Sequence, residues 1–141
     1  MNQFLEHTIR VRYAECDRMG FVHHSVFPIY FEEARTEILR KFGISYHDLE
    51  NEGYIMPVRN MNFTFFKAGK YDDLLTIKIK LTELPKLRWN FSYETHNQNA
   101  ELLNIASTEM FFVRKENLRP CVLPVKYMGL IENIFNNEPR I

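Results

Sequence analysis

The hydrophobic pattern changes its period along the chain, and this change predicts one long helix set among strands. Between residues 27 and 42, apolar side chains recur every three or four positions: Phe27, Phe31, Ala34, Ile38 and Phe42. That spacing gives a single apolar stripe on a helix. Ser25 is the predicted N-cap, Pro28 is tolerated in the first turn, and Gly43 is placed to end the helix.

On both sides of this helix, apolar residues alternate with polar ones, which predicts half-buried strands. The predicted strands cover residues 7–13, 54–67, 75–82, 87–94 and 102–114. In the first of them, Ile9, Val11 and Tyr13 share the apolar face. The last is apolar on both sides of its pleat, so we expect a central strand that is covered on both faces.

The order of the elements predicts an α+β fold. Short turns between the last four strands require antiparallel neighbours. The apolar face of such a sheet needs a cover, and only the helix over 27–42 is long enough. Shorter helices are predicted over 44–52, capped by Ser45, and after Pro124, with a frayed tail after Phe135. We therefore expect a curved antiparallel sheet wrapped around one central helix, in a single domain over residues 1–141.

Composition and charge narrow the possible partners. Lys plus Arg and Asp plus Glu both number 18, so the net charge is zero, and nothing favours nucleic acid or an acidic membrane surface. No apolar run is long enough for a signal peptide or a membrane span. The two cysteines, Cys16 and Cys121, are too few for a disulfide scaffold. A cytoplasmic protein is expected.

Reactive side chains cluster just before the long helix, within residues 15–24: Glu15, Cys16, Asp17, His23 and His24. A helix N-terminus offers free N–H donors and the positive end of a dipole, which suits an oxygen that becomes negative. Three other interpretations apply to the same residues. Asp17 could stabilise only its own turn, Cys16 could act as a thiol nucleophile, or the cluster could bind a metal, although its spacing fits no common zinc pattern.

The sequence of this loop resembles a known family. The run RYAECDRMGFVHH over residues 12–24, followed by YFEEAR over 30–35, resembles the hotdog-fold acyl-CoA thioesterases, in particular the 4-hydroxybenzoyl-CoA thioesterase type and its Tol-Pal-associated relatives. The segment KAGKYDD over 67–73 is also similar to a turn of that family. The chain departs from the family pattern at Cys16, His23 and Val26, where the family often has threonine, tyrosine and asparagine.

The resemblance implies a hotdog fold and hydrolysis of an acyl thioester. Asp17 would attack the thioester carbonyl or deprotonate the water that does so, and His24 would position the substrate. The amides around residues 24–26 would donate to the carbonyl oxygen. Substrate-binding positions are implied at Tyr13, Gly20, His23 and Ser25.

Basic residues supply candidates for the phosphates of coenzyme A. Lys67 and Lys70 lie in the turn that resembles the family, although a basic side chain on a polar face is usually only solvated. Arg59 is in phase with the apolar residues of its strand, which is unusual for an unpaired charge. Either it neutralises a carboxylate, or the strand has a β-bulge there.

The expected substrate is an acyl-CoA or acyl-carrier-protein thioester. Coenzyme A is then part of the substrate, and no cofactor and no metal are expected. The exposed edges of the sheet favour a homo-oligomer, a dimer or a tetramer, with the acyl group held between subunits. Two rival interpretations are a hotdog hydratase or dehydratase acting on acyl thioesters and a non-catalytic acyl-thioester binding subunit.

Overall fold

The computed structural model describes residues 4–136. Its strands, numbered along the chain, are β1 Leu5–Arg10, β2 Tyr54–Ile55, β3 Val58–Phe65, β4 Leu74–Leu81, β5 Arg88–His96, β6 Leu102–Phe111 and β7 Val113–Arg114. Its α-helices are α1 Phe27–Lys41, α2 Tyr46–Asn51 and α3 Val125–Asn136. Five strands form an antiparallel sheet in the order β1, β4, β5, β6, β3, and β2 pairs with β7. The predicted frayed tail falls on residues 137–141, outside the described residues.

Helix α1 is the centre of the core, as its apolar stripe predicts. All five stripe residues are at most 3% exposed. The ring of Phe31 stacks on Tyr93 of β5 at 4.4 Å and on Phe63 of β3 at 5.7 Å between centroids. The inward residues of β4 and β5 alternate with half-buried polar ones, as predicted. The sheet thus covers one long helix, which confirms the hotdog arrangement.

The expectation that successive strands are neighbours is wrong for β3 and β4. Strand β3 pairs with β6, and β4 lies between β1 and β5. The connection over residues 66–73 therefore crosses from one edge of the sheet to the opposite side. Turn signals in a sequence report where a strand stops and do not report which strand it joins. This crossing brings residues 69–73 beside the loop that precedes α1.

Two predicted strands are each divided in the structure. The stretch 54–67 breaks at Pro57, whose carbonyl accepts a hydrogen bond from the Phe111 amide at 3.1 Å. The stretch 102–114 breaks at Phe112, so that β7 leaves the main sheet and pairs with β2. Strand β6 lies between β5 and β3, so it is an inner strand of the sheet as predicted. Ile105 on β6 is 40% exposed, so β6 is not covered along its whole length.

Arg59 lies at a β-bulge, which was one of the two explanations for its phase. The register between β3 and β6 shifts between Val58 and Asn60. The shift turns the Arg59 side chain outward, where 63% of it is exposed and its Nε lies 3.9 Å from a Glu109 carboxylate oxygen. Arg59 is therefore not on the apolar face.

Candidate active site

A tight turn fixes Asp17 in the loop before α1. One carboxylate oxygen, Oδ1, accepts hydrogen bonds from the amides of Met19 at 2.9 Å and Phe21 at 3.1 Å. The turn is closed by a hydrogen bond that the Gly20 amide donates to the Asp17 carbonyl at 3.0 Å. Gly20 has a φ of 81°, a conformation that favours glycine. The other carboxylate oxygen makes no hydrogen bond to any residue among 4–136. Asp17 therefore does stabilise its own turn. Its carboxylate is half-buried, and the second oxygen is available to contact a ligand.

The connection between β3 and β4 holds this loop in place. The Val22 amide donates to the Gly69 carbonyl at 2.8 Å, and the Tyr71 amide donates to the Gly20 carbonyl at 3.4 Å. Phe21 and Lys70 form an antiparallel bridge, which puts Lys70 beside the Asp17 turn. Gly69 is buried, and a Cβ there would lie 3.1 Å from Cγ2 of Val22. Backbone hydrogen bonds and the close contact at Gly69 thus hold the loop against this connection.

Behind the loop, a buried carboxylate links it to α1. Glu15 accepts hydrogen bonds from the Arg12 amide at 2.8 Å, from the Arg12 guanidinium at 3.1 Å and from the Tyr30 hydroxyl at 2.8 Å. Burial raises the pKa of Glu15, but these hydrogen bonds outweigh it and leave the pKa below its ordinary value of 4.5. Burial and the hydrogen bond to Glu15 raise the pKa of Tyr30. We call these three residues the Glu15 network; it holds an ionised carboxylate and a neutral phenol at neutral pH.

The start of the helix differs from the predicted cap. A short 3-10 helix, His24–Val26, precedes α1, and His23 rather than Ser25 is its N-cap. Nδ1 of His23 accepts from the Ser25 amide at 3.2 Å and lies 2.7 Å from the Ser25 hydroxyl oxygen. The Val26 amide donates to the His23 carbonyl at 2.9 Å. Among the described residues, the His24 amide has no acceptor, so only one of the three amides over 24–26 is unengaged.

The residues expected to form the site are only partly brought together. Residues 15–17 run antiparallel to residues 21–23. The His23 amide donates to the Glu15 carbonyl at 3.0 Å, and the Asp17 amide donates to the Phe21 carbonyl at 2.7 Å. Phe21 is the partner of Asp17 in this ladder, and His24 follows Phe21 by three residues, which is about 10 Å at ~3.3 Å per residue. The rings of His23 and His24 lie 4.2 Å apart between centroids with a 30° tilt between their planes, and both side chains are exposed. No hydrogen bond joins Asp17 to His23, His24 or Ser25.

The other predicted binding residues are scattered. Tyr13 is not an inward strand residue, because β1 ends at Arg10 and Tyr13 begins a 3-10 helix over Tyr13–Glu15. Its ring is 81% exposed and meets Tyr71 edge-on at 5.5 Å. Lys67 forms an ion pair with Glu101, and Arg59 lies at the opposite end of β3. Gly20 lies within the Asp17 turn, and of the three predicted basic residues Lys70 is the one beside it.

Comparison with known proteins identifies the family. The sequence profile described as the thioesterase superfamily matches residues 19–103. The chain belongs to this superfamily. The matched range begins two residues after Asp17 and includes α1 and most of the sheet. The match therefore does not bear on the role of Asp17.

Individual thioesterases resemble this one along most of their length. The acyl-CoA thioester hydrolase YbgC of Escherichia coli O6:H1 is 30% identical over 116 residues, which are 82% of this chain and 87% of that protein. A crystal structure of a DHNA-CoA thioesterase from Staphylococcus aureus is 30% identical, with a TM-score of 0.88, over 98% of this chain and 96% of that one. A 4-hydroxybenzoyl CoA thioesterase, 20% identical over 92% of this chain and 99% of that one, shares the fold with a TM-score of 0.81. The predicted family and hotdog fold are thereby confirmed.

The sequence prediction for this thioesterase missed the function of Glu15. Glu15 was recognised only as one carboxylate in a reactive loop, yet it is the most deeply buried of the site's charged groups. One signal could have revealed it. Tyr30 lies three residues after Phe27 on the inner side of α1, and a buried tyrosine hydroxyl needs a partner. Two acidic residues of the preceding loop, Glu15 and Asp17, are candidates for that partner.

Three further observations bear on this thioesterase. Within residues 4–136, no group of three His, Cys, Asp or Glu side chains is arranged to hold a metal ion. No helix in the same range is both long and apolar enough to cross a membrane. Cys16 and Cys121 are free thiols, and burial raises the pKa of both. The Cys16 thiol is therefore less nucleophilic at neutral pH than an ordinary cysteine.

Proposed function

We propose that this chain hydrolyses the thioester bond of an acyl-CoA to give a carboxylic acid and free coenzyme A. One observation carries the proposal. Asp17 presents a carboxylate oxygen without a partner from a turn that is fixed by two amides, in the loop that leads to the start of α1. The YbgC relative, whose name describes acyl-CoA thioester hydrolysis, supports the same reaction.

Asp17 drives the attack on the thioester carbon. As a general base it takes a proton from water, whose oxygen adds to the carbonyl carbon; as a nucleophile it adds its own oxygen and is released by water afterwards. In both routes the C–S bond breaks, the coenzyme A thiolate leaves and takes up a proton, and no cofactor or metal is required. Because a thiolate leaves readily, most of the barrier lies in charge on the carbonyl oxygen and in orientation.

The start of the helix stabilises that charge. The His24 amide, which has no acceptor among residues 4–136, is the proposed donor, and the dipole of α1 adds its positive end. Because His24 lies about 10 Å along the ladder from the partner of Asp17 in the same protomer, we propose that the amide and the Asp17 carboxylate at one thioester come from two different protomers. Loss of one such donor typically slows the reaction about 100- to 1000-fold. The His24 imidazole and the neighbouring His23 and Ser25 orient the thioester. Lys70 is the best-placed cation for a phosphate of coenzyme A, because it lies beside the Asp17 turn.

A second copy of the chain completes the site. Strand β3 is an edge of the sheet, so its outer backbone groups are free to pair, and Phe65 and Phe66 near its end are about half exposed. We propose a homo-oligomer built on β3, in which the acyl group lies between one protomer's α1 and its partner. We expect it in the cytoplasm, where thiols stay reduced.

Free thiol released from acyl-CoA substrates, measured with a thiol reagent, tests the reaction. The panel contains aromatic, short and long acyl-CoAs and the matching acyl-carrier-protein thioesters. A hydratase or dehydratase, or a subunit that only binds acyl thioesters, releases no thiol. Release from at least one thioester is expected, and none from the whole panel would reject the proposal.

Asp17→Asn tests the carboxylate. Asparagine keeps an Oδ1 acceptor for the Met19 and Phe21 amides, so the fold should be retained while kcat/KM falls ~100-fold or more. Asp72→Asn is the matched control. Asp72 lies in the neighbouring turn at a φ of 67°, which asparagine also adopts, and the same chemical change there should leave turnover unaltered. Full turnover in the Asp17→Asn variant would refute the mechanism.

A further inference from the structure

A buried cation on α1 has no anionic partner within the described range, residues 4–136. Arg35 is only 4% exposed, and no carboxylate oxygen among residues 4–136 lies within 4.0 Å of its guanidinium. One terminal nitrogen donates to the Tyr93 hydroxyl at 2.9 Å, and this hydroxyl is 2.7 Å from the Thr108 hydroxyl oxygen. The Nε of Arg35 is buried without any partner. An arginine stays charged in proteins, and a buried charge without a counterion is costly.

Arg35 forms part of the wall of a cavity of about 300 Å³. Next to it in this wall is Tyr46, whose buried hydroxyl interacts with the Arg35 guanidinium but makes no hydrogen bond of good geometry to any residue among 4–136. Burial raises the pKa of Tyr46, so the hydroxyl remains a donor at neutral pH. Much of the remaining wall is apolar, with Leu49, Met56 and Met110 among its side chains. The cavity therefore presents unused N–H and O–H donors among hydrocarbon.

The cavity lies on the flank of α1 that also faces β3. At the start of the helix, Phe27 meets Phe65 at 5.6 Å, and one turn later Phe31 stacks on Phe63. Val58, at the other end of β3, lines the cavity. Arg35 follows Phe27 by eight residues, which is about 12 Å along the axis at ~1.5 Å per residue. An acyl chain whose thioester is bound near His24 and which runs along this flank would end at Arg35.

We propose that this cavity receives the far end of the acyl group and that Arg35 selects acyl chains ending in a carboxylate, that is, monothioesters of dicarboxylic acids. This inference rests on the proposed thioesterase function. The planar guanidinium fork matches a carboxylate, and the Tyr46 hydroxyl adds a further donor. Glu32 and Glu50 also line the cavity, but both are exposed, so solvent screens their repulsion of the ligand.

Pairs of substrates that differ only at the chain end test the inference. The purified full chain is assayed for thiol release from sebacoyl-CoA against decanoyl-CoA and from dodecanedioyl-CoA against dodecanoyl-CoA, whose extended chains match the span to Arg35, with 12-hydroxydodecanoyl-CoA as a neutral polar end. We expect kcat/KM to favour the carboxylate in at least one pair by about tenfold or more, mainly through KM, since a charged hydrogen bond is worth roughly a factor of ten. Equal rates within both pairs, or equal rates for dodecanedioyl- and 12-hydroxydodecanoyl-CoA, would overturn the assignment of a carboxylate.

Variants assign the preference to Arg35. Arg35→Met should reduce the ratio of dodecanedioyl- to dodecanoyl-CoA turnover to about one or below, whereas Arg40→Met, at an exposed position of the same helix, should leave the ratio unchanged. Tyr46→Phe removes only a hydroxyl and should lower the ratio several-fold, which keeps the test valid if Arg35→Met fails to fold. A strong fall in Tm of Arg35→Met with an unchanged ratio would show that Arg35 is purely structural.

The two proposals fail differently. If the wild-type chain hydrolyses alkyl acyl-CoAs and shows no preference for a carboxylate end, the thioesterase function stands and the role of Arg35 is refuted. If no thioester of any kind releases thiol, the proposed function itself is rejected, and the inference falls with it.

Discussion

Replacing Tyr30 by phenylalanine tests the Glu15 network in a single step. The change removes one hydroxyl, 2.8 Å from Oε1 of Glu15, and leaves the ring in place, so no cavity forms. Hydrogen bonds to charged groups contribute about 1.5–3 kcal/mol. Glu15 keeps both of its hydrogen bonds from Arg12, which limits the loss. We expect the free energy of unfolding at pH 7 to fall by about 1.5–3 kcal/mol.

The pH dependence of this loss identifies its source. The pKa of Glu15 is lowered in the folded chain, so its charged hydrogen bonds contribute stability above the ordinary pKa of 4.5. That contribution disappears as the pH falls through the lower, folded-state pKa. The difference between wild type and Tyr30→Phe should therefore be largest near pH 7 and should shrink below about pH 4.5 towards the ~1 kcal/mol of a neutral hydrogen bond.

Urea unfolding followed by circular dichroism, at one protein concentration and between pH 3 and 7, measures the difference. Tyr54→Phe is the matched control, since the Tyr54 hydroxyl makes no hydrogen bond to any residue among 4–136 and its loss should change stability little at any pH. A Tyr30→Phe difference that stays constant across this range would mean that the hydroxyl does not act through an ionised Glu15. In that case our account of the loop's anchorage to α1 would be wrong.

Two further changes probe the loop and the second helix. Gly69→Ala should lower the free energy of unfolding by about 1 kcal/mol, because its Cβ would lie 3.1 Å from Cγ2 of Val22. Val22→Ala removes that atom, so in a double-mutant cycle Gly69→Ala should cost less in the Val22→Ala background than in the wild type. An additive cycle would show that the close approach is not the cause. Ser45→Ala should lower the free energy of unfolding by only about 0.5 kcal/mol in the same urea assay, since the Ser45 hydroxyl caps α2 through a long, 3.4 Å hydrogen bond; a loss above about 2 kcal/mol would contradict this.

The sequence is informative where a single periodic pattern controls burial. The stripe on α1 and the alternation along β4 and β5 depend only on the spacing of apolar residues, and the structure confirms them. The cap of α2 by Ser45 is also confirmed, because it depends on residues next to each other in the chain. The family could be recognised for the same reason, since its loop motif is local.

Features that depend on distant residues could not be predicted in this way. The pairing of β3 with β6 follows from the path of residues 66–73, which no local pattern encodes. The bulge at Arg59 was one of two explanations until the register with β6 was known. At the helix start, Ser25 and His23 are both able to act as a cap, and backbone geometry selected His23. That Arg35 has no carboxylate partner among residues 4–136 emerges only when the residues around it are known.

The contact between the Asp17 loop and the connection from β3 to β4 also determines when the site can exist during folding. The amide of Val22 and the carbonyl of Gly20 bind residues about fifty positions later in the chain. A ribosome must therefore release both halves of the domain before the reactive loop acquires its shape. N-terminal fragments that contain Asp17, His24 and all of α1 would lack the template for that loop, and amide exchange at Val22 should be as slow as the global opening of the sheet.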